Sequence, residues 1–277
     1  MKYLSLIAAC AILSVGAAQA ANAPAFLQGS GTLKGVIVDV IKEKGMESEI
    51  EYHGGGSGLG EKAVLNRQQG IAPMSREVSQ DAVRDASAKG FRFVPNVIGL
   101  DGVVVLVNDE NRLRALDFAS LAKVYNCEVT RWEAVPGAHQ SGEIRVFARN
   151  EDSGTTEFFR ESIGIKKFGS CVKELNSTEE IAAAVVSDEN AIGYAGRAGE
   201  KAGNRALSLA RNAGDNAVPP TLEKIRNSDY PMSRKLFVYE AEGSHRPSTS
   251  EAKLLKHLLD KEFVEPILKR HEIVTKN

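Results

Sequence analysis

The stretch EYHGGGSGLGEKAV, residues 51–64, sets six glycines and serines between an alternating, strand-like run and a helix-like one. Glycine loses more conformational freedom on folding than any other residue, so such a cluster marks a place where bare backbone is needed. The device recurs in QGSGTL (28–33) and RNEDSGTTEFF (149–159), each with Ser-Gly at the start of a helix-like segment. A fourth junction, APMSRE (72–77), lacks the glycine but carries Ser75 and Arg76. Helix starts present unpaired N–H groups and a partial positive charge. Ser and Thr hydroxyls add donors, and glycine removes the side chain that would hold an anion away. One such junction is an ordinary N-cap. Four of them, two carrying an arginine, point to donors converging on one oxyanion.

Sharper motifs fail at 53–60. A dinucleotide fingerprint counted from Gly54 or Gly56 would need glycine where Leu59 or Glu61 stands. A Walker-type loop needs lysine after Gly60, where Glu61 follows, and the hydrolase elbow has Leu59 in place of its last glycine. His53 near Ser57 suggests a general base, but a lone histidine at a strand end is more often structural or solvated.

Around the junctions, strand-like and helix-like segments alternate, the pattern of an α/β fold. Residues 31–45 place Val36, Ile37, Val40 and Ile41 on one helix face, with a strand as the alternative because so many are β-branched. SEIEYH reads as a strand, and GLGEKAVLNRQQG as a helix closed by Gly70. GIAPMSREV is a short apolar run, followed by a polar helix ending near Gly90. FRFVPNVIGLDGVVVLVN (91–108) reads as two strands, with Gly99 to Gly102 as the turn. DFASLAKVYNCEVTRWEAV has helical spacing at Leu116, Leu121 and Val124. A strand into a helix follows at 143–164, then a helix with a Ser/Thr-x-x-Glu start, a strand, a late strand at 235–242 and a closing helix pair. The length favours two domains.

At the N-terminus, a basic start at Lys2, an apolar run over 4–15 and Ala18-Gln19-Ala20 form the pattern of a secretory signal peptide (1–20), cleaved after Ala20. A competing lipoprotein site at Cys10 lies early, inside the apolar run. Removing Lys2 and no acid from 35 basic and 36 acidic residues leaves 34 and 36, a net charge of −2. That argues against nucleic acid and leaves room for a small anion. Once Cys10 departs with the leader, Cys127 and Cys171 remain, so one disulfide is expected in an oxidising compartment, with two buried thiols as the alternative. The five histidines show no metal-ligand spacing, and no metal or cofactor is expected.

Taken in order, GSGTL, YHGGGSGLG, APMSRE, VIGLDGVVVLVN, RNEDSGTTEFFRE, AIGYAG and YPMSRKLFVYE resemble the phosphate-binding proteins of bacterial phosphate ABC importers, over nearly the whole chain beyond the leader. Arg149 followed by Ser153-Gly154-Thr155 is the most telling piece. The resemblance implies an α/β, two-lobed type II periplasmic binding fold, its lobes joined by two crossing strands near 103–108 and 235–240. Lobe I would combine 21–107 with 236–277, and lobe II would span 108–235. It further implies inorganic phosphate as ligand, an ABC transporter permease as partner, a monomeric periplasmic protein, and neither cofactor nor catalysis. The lobes would close on the ligand by a hinge.

Carried over by position, Ser30, Gly31, Thr32 and Leu33 would supply N–H and hydroxyl donors from the first lobe. Ser57 and Gly58 would bring backbone amides to the anion, and Ser75 with Arg76 would form the third junction. Arg149 would clamp two phosphate oxygens with paired N–H···O bonds, oriented by Glu151. Ser153, Gly154 and Thr155 would donate from the second lobe. Many members of the family have an aspartate after the third junction that accepts the proton of bound phosphate. Here Ser75-Arg76 stands there, so the acceptor is sought first at Glu151 or Asp152, with a backbone carbonyl or a serine oxygen as the alternative. The rivals are the same fold holding sulfate, molybdate or tungstate, a secreted phosphoester hydrolase with Ser57 or Thr155 as nucleophile, and an interaction or sensory module.

Overall fold

Alternating strands and helices organise residues 24–275, which are those the computed structural model of the chain describes. The expected signal peptide, with Cys10, lies outside them. Strand β1 (Ala25–Gly29) pairs in parallel with β2 (Ile50–Gly55), and helix α1 (Lys34–Glu43) connects them. The apolar face of α1 buries Val36, Ile37, Val40 and Ile41, so burial of one stripe selects helix over strand there. Helix α2 (Ser57–Leu65) stops before Gly70, and Arg67 in the left-handed region (φ 57°) turns the chain. Gly70 is needed for another reason: a Cβ there would lie 2.2 Å from Pro247 Cα. Next come β3 (Ile71–Met74) and α3 (Gln80–Ala88), the latter capped by Ser79 Oγ, which accepts from the Ala82 N–H.

The hairpin expected at 91–108 does not form. Strand β4 (Phe91–Asn108) runs unbroken for 18 residues. Its glycines answer to close packing instead: a Cβ at Gly99 would lie 2.7 Å from Ile273 Cγ2, and one at Gly102 would lie 2.6 Å from Ile225 Cδ1. Leu116 belongs to the short β5 (Ala115–Asp117), and Asp117 caps α4 (Phe118–Tyr125), which buries Leu121 and Val124. The chain continues through β6 (Arg145–Arg149), α5 (Gly154–Ile163), β7 (Val172–Leu175), α6 (Thr178–Ser187), β8 (Ala191–Gly196), β9 (Asn204–Ala206), β10 (Ser208–Ala210) and α7 (Leu222–Arg226). Strand β11 (Ser233–Gly243) then leads to α8 (Thr249–Leu259), begun by a Ser248/Glu251 capping box, and α9 (Lys261–Arg270).

The main sheet has the order β3-β11-β4-β8-β6-β7, with β9 also on β4. Up to Gly102, β4 pairs antiparallel with β11; from Val103 it pairs antiparallel with β8. One strand therefore runs through both halves of the sheet. The two halves have separate cores. On one side Val36, Ile37 and Val40 pack with Leu236, Val238, Leu254 and Ile267. On the other, Val103, Val105 and Val107 pack with Tyr125, Trp132, Phe159 and Tyr194. Cys127 and Cys171 are joined as a disulfide in the second half. Among the described residues no helix is long and apolar enough to cross a membrane.

Candidate functional site

Arg149 ends β6, and its main chain is tied down on both sides. Its N–H donates to Tyr194 Oη (3.1 Å), and its carbonyl accepts from Thr156 Oγ1 (3.0 Å). Tyr194 stacks on Phe159 with ring centroids 4.1 Å apart, and its hydroxyl lies 2.7 Å from Thr156 Oγ1. Burial pushes the Tyr194 phenol up to about 12, so this anchor stays neutral at physiological pH. The Arg149 side chain lies in the interior, with the residue only 5% exposed. Burial pulls its pKa below the ordinary arginine value, though a guanidinium keeps its charge. Nη2 donates to the Gly55 carbonyl (3.3 Å), and Nε is buried without an acceptor. Among the described residues no carboxylate pairs with it.

Donors gather around this cation from both halves of the sheet. Ser153 caps α5, accepting from the Thr156 N–H at 3.3 Å, while the N–H groups of Gly154 and Thr155 find no acceptor among the described residues. Thr155 Oγ1 lies 3.3 Å from Thr32 Oγ1. Gly31 borders the guanidinium, since a Cβ there would be 3.5 Å from Arg149 Nη1. Ser57 Oγ accepts from the Ser75 N–H (2.9 Å) and lies 3.2 Å from Ser75 Oγ. Gly154 touches this serine pair: a Cβ on it would come within 2.3 Å of Ser57 Oγ and 3.0 Å of Ser75 Oγ. Gly31, Thr32, Ser57, Ser75, Arg149, Ser153, Gly154 and Thr155 thus form one cluster.

Four expected donors have other work. The Leu33 N–H faces Ser30 Oγ (3.3 Å), closing the turn before α1, while its side chain is buried in the core. Ser30 is likewise held inside, its carbonyl accepting from Tyr52 Oη (2.8 Å) and its N–H donating to the Pro73 carbonyl (2.7 Å). The Gly58 N–H donates to the Asp152 carbonyl at 3.1 Å, so it joins the halves rather than facing a ligand. Beside it, a Cβ at Gly56 would lie 2.1 Å from that same carbonyl oxygen, which is why glycine stands there. The guanidinium of Arg76 is neutralised: Nη1 donates to Glu61 Oε2 (2.8 Å) and the Glu77 carbonyl (2.7 Å), and Nε contacts Glu157. Burial raises the Glu157 carboxyl above its ordinary range, opposed by that arginine. Ser75-Arg76 also does not start a helix, because α3 begins only at Gln80.

Glu151 does not orient Arg149. It pairs with Arg160 (2.7 Å) at the surface, and Asp152 pairs with Lys62 (2.9 Å), so neither carboxylate faces the cluster. Each side chain leaves the turn before α5 for a cation on a helix, Glu151 for the mostly buried Arg160 and Asp152 for the exposed Lys62. His53 bonds Glu51 (2.8 Å) and stacks on Phe26 (4.5 Å between rings), which gives Ser57 no neighbouring base from that residue. No group of three or more His, Cys, Asp or Glu among the described residues is arranged to hold a metal.

Two contributors escaped sequence reasoning. Arg234 Nη2 donates to Thr32 Oγ1 (3.1 Å), and Asp101 holds Arg234 from the neighbouring strand (2.8 Å). The signal was present in VIGLDGVVVLVN, where Asp101 is the one charged residue of an otherwise apolar and glycine-rich run.

A sheet shared by two halves, with helix starts and hydroxyls from each half around a buried cation, is an arrangement that can receive an anion. The chain belongs to the PBP superfamily: the family model described as a PBP superfamily domain matches residues 15–260. Among curated relatives, Protein SphX of Synechococcus elongatus is 26% identical over 247 residues, covering 84% of this chain and 73% of that protein. Phosphate-binding protein PstS of Pseudomonas aeruginosa is 25% identical over 234 residues, covering 79% and 72%. Among solved structures, a Clostridium perfringens protein assigned as a phosphate ABC transporter substrate-binding protein, with bound phosphate, superposes with a TM-score of 0.79 at 20% identity. That match covers 92% of this chain and all of the other. An ABC-type phosphate transport receptor from Vibrio cholerae gives 0.69 at 18% identity, covering 90% and 99%. The observed fold is the two-lobed periplasmic binding fold that the resemblance implied.

Proposed function

We propose that this chain captures inorganic phosphate between its two lobes and delivers it to an ABC importer in the periplasm, as a monomer partnered by a permease. The observation that carries this is Arg149. A buried guanidinium without a carboxylate is costly, by several kcal/mol per ion, unless an anion neutralises it. Here Gly154 and Thr155 add N–H donors, and Thr32, Thr155, Ser57 and Ser75 add hydroxyls. The names of the relatives support phosphate as the anion. Such a set of convergent donors around a fixed cation suits capture of an anion, and His53, the base the sequence offered Ser57, is engaged by Glu51.

Lobe I is then 21–107 with 236–277 and lobe II is 108–235, and closure brings them together at the Gly58–Asp152, Lys62–Asp152, Arg76–Glu157 and Thr32–Thr155 contacts. The change of partner along β4 after Gly102 supports a crossing a few residues before the bound at 107, and the start of β11 at Ser233 supports a return a few residues before the bound at 235. A second reading, a fully deprotonated oxyanion such as sulfate, is favoured by one observation: Glu151 and Asp152 turn away, leaving hydroxyls and the Gly55 carbonyl as the acceptors for a phosphate proton. Titration calorimetry on the mature protein separates the two. One-to-one phosphate binding that resists excess sulfate, molybdate and tungstate is the expected result; equal competition by sulfate would favour the second reading.

A further inference from the structure

We infer that Arg234, held by Asp101, is a positioning residue for the anion site: it fixes the direction of the Thr32 hydroxyl. The inference rests on the reading of Thr32 and Thr155 as part of the phosphate site. Arg234 and Asp101 are register partners on β11 and β4, one pair away from the point where β4 changes neighbours. Their side chains are 2% exposed each. Asp101 Oδ2 accepts from Arg234 Nε (3.2 Å) and Nη2 (2.8 Å). Its other oxygen, Oδ1, accepts from the Arg197 N–H (3.1 Å), in the turn that follows β8. The guanidinium also lies over the Phe158 ring of α5, 5.6 Å from its centroid.

Asp101 already occupies Nε and Nη2 of Arg234, and Nη1 is buried without an acceptor, yet Nη2 also reaches Thr32 Oγ1 at 3.1 Å. Arginine only donates. One lone pair of Oγ1 is thereby occupied, and the single proton of Thr32 is directed to its remaining neighbours, Thr155 Oγ1 or a bound oxyanion. A threonine without this contact could turn a lone pair toward the anion, which repels. Gly196 leaves the space for the arrangement, since a Cβ there would lie 3.1 Å from Asp101 Oδ2 and 3.4 Å from Thr32 Cγ2. Asp101 thus does two things: it offsets the charge of Arg234, leaving Arg149 as the net positive charge of the site, and it anchors the donor at the strand crossing.

A double-mutant cycle tests this with phosphate as the probe. Asp101→Asn and Arg234→Gln are introduced together, so that no lone buried charge remains, in chains with Thr32 and with Thr32→Val. Circular dichroism and denaturation establish folding, and calorimetry gives affinity. If the neutral pair does not fold, Arg234→Lys, which keeps the ion pair but cannot serve Asp101 and Thr32 together, replaces it in the cycle. The expected result is a loss of about tenfold in affinity when Thr32 is present and less than about twofold in the Thr32→Val background. Equal losses in both backgrounds, or none with Thr32 present, would overturn the positioning role. Wild-type protein that binds no phosphate would instead overturn the underlying reading of the site.

Discussion

Replacing Arg149 with Met separates what the site does for the ligand from what it does for the fold. In the folded chain the guanidinium makes one long hydrogen bond, Nη2 to the Gly55 carbonyl at 3.3 Å, and Nε makes none. Losing that bond, a long one, costs about 1.5 kcal/mol, the low end for a bond from a charged group. Against it stands the removal of a desolvated charge with no carboxylate beside it, whose penalty is several kcal/mol before relaxation and water access reduce it. In phosphate-free buffer, Arg149→Met is therefore expected to be as stable as wild type or about 1–2 kcal/mol more stable, at about 2–4 °C of melting temperature per kcal/mol. With phosphate the order reverses. Wild type gains about 2.7 kcal/mol at a ligand concentration of a hundred times Kd. The variant, having lost a buried charge-assisted pair of about 3 kcal/mol, binds about a hundredfold more weakly and gains far less. Thermal unfolding with and without phosphate, beside calorimetry, reads both effects. A variant more than 1 kcal/mol less stable than wild type without phosphate, or one that binds within threefold of wild type, would refute the reasoning.

Gly154→Ala should displace the Ser57–Ser75 pair, because its Cβ would lie 2.3 Å from Ser57 Oγ, and weaken phosphate binding by about tenfold or more with the fold retained; calorimetry and circular dichroism check this. Reducing the Cys127–Cys171 bond, which spans 44 residues, should cost about 4 kcal/mol on the chain-entropy treatment, read by denaturant unfolding of oxidised protein and of the Cys→Ala pair. Asp39 is held below the ordinary aspartate range, first by the hydrogen bond from His271 and further by Arg270. A lowered folded pKa contributes stability that is present above the unfolded value of about 3.9 and lost as pH falls through the folded one. Asp39→Asn should therefore be less stable than wild type at neutral pH, by under about 1 kcal/mol given its partial exposure, with the gap closing in strong acid.

The alternation of elements was legible because one-sided burial imprints a period on the sequence. The face of α1, the Ser177 cap at the start of α6 and the pairing of the two cysteines all follow from local pattern or count. Gly99 and Gly102 misled because glycine marks both turns and close packing, and only the approach of Ile273 and Ile225 tells which. In the site, the members fixed by helix starts and by Arg149 were readable: Thr32, Ser57, Gly154 and Thr155 do gather. Arg76 was placed by its junction, and Glu151 and Asp152 by nearness in sequence, whereas their partners Glu61, Arg160 and Lys62 come from other elements or from the far side of a turn. Arg234, on β11, lies 202 residues from the Thr32 it contacts in the turn before α1, a contact invisible to any short motif.

The most direct test is a crystal structure of the mature protein grown with phosphate. The anion should sit with oxygens about 2.7–2.9 Å from nitrogens of the Arg149 guanidinium, as charge-assisted bonds require, and within hydrogen-bond reach of the Gly154 and Thr155 N–H groups and the Thr32 hydroxyl. Phosphate bound elsewhere, with Arg149 paired instead to a carboxylate of the chain, would contradict the site.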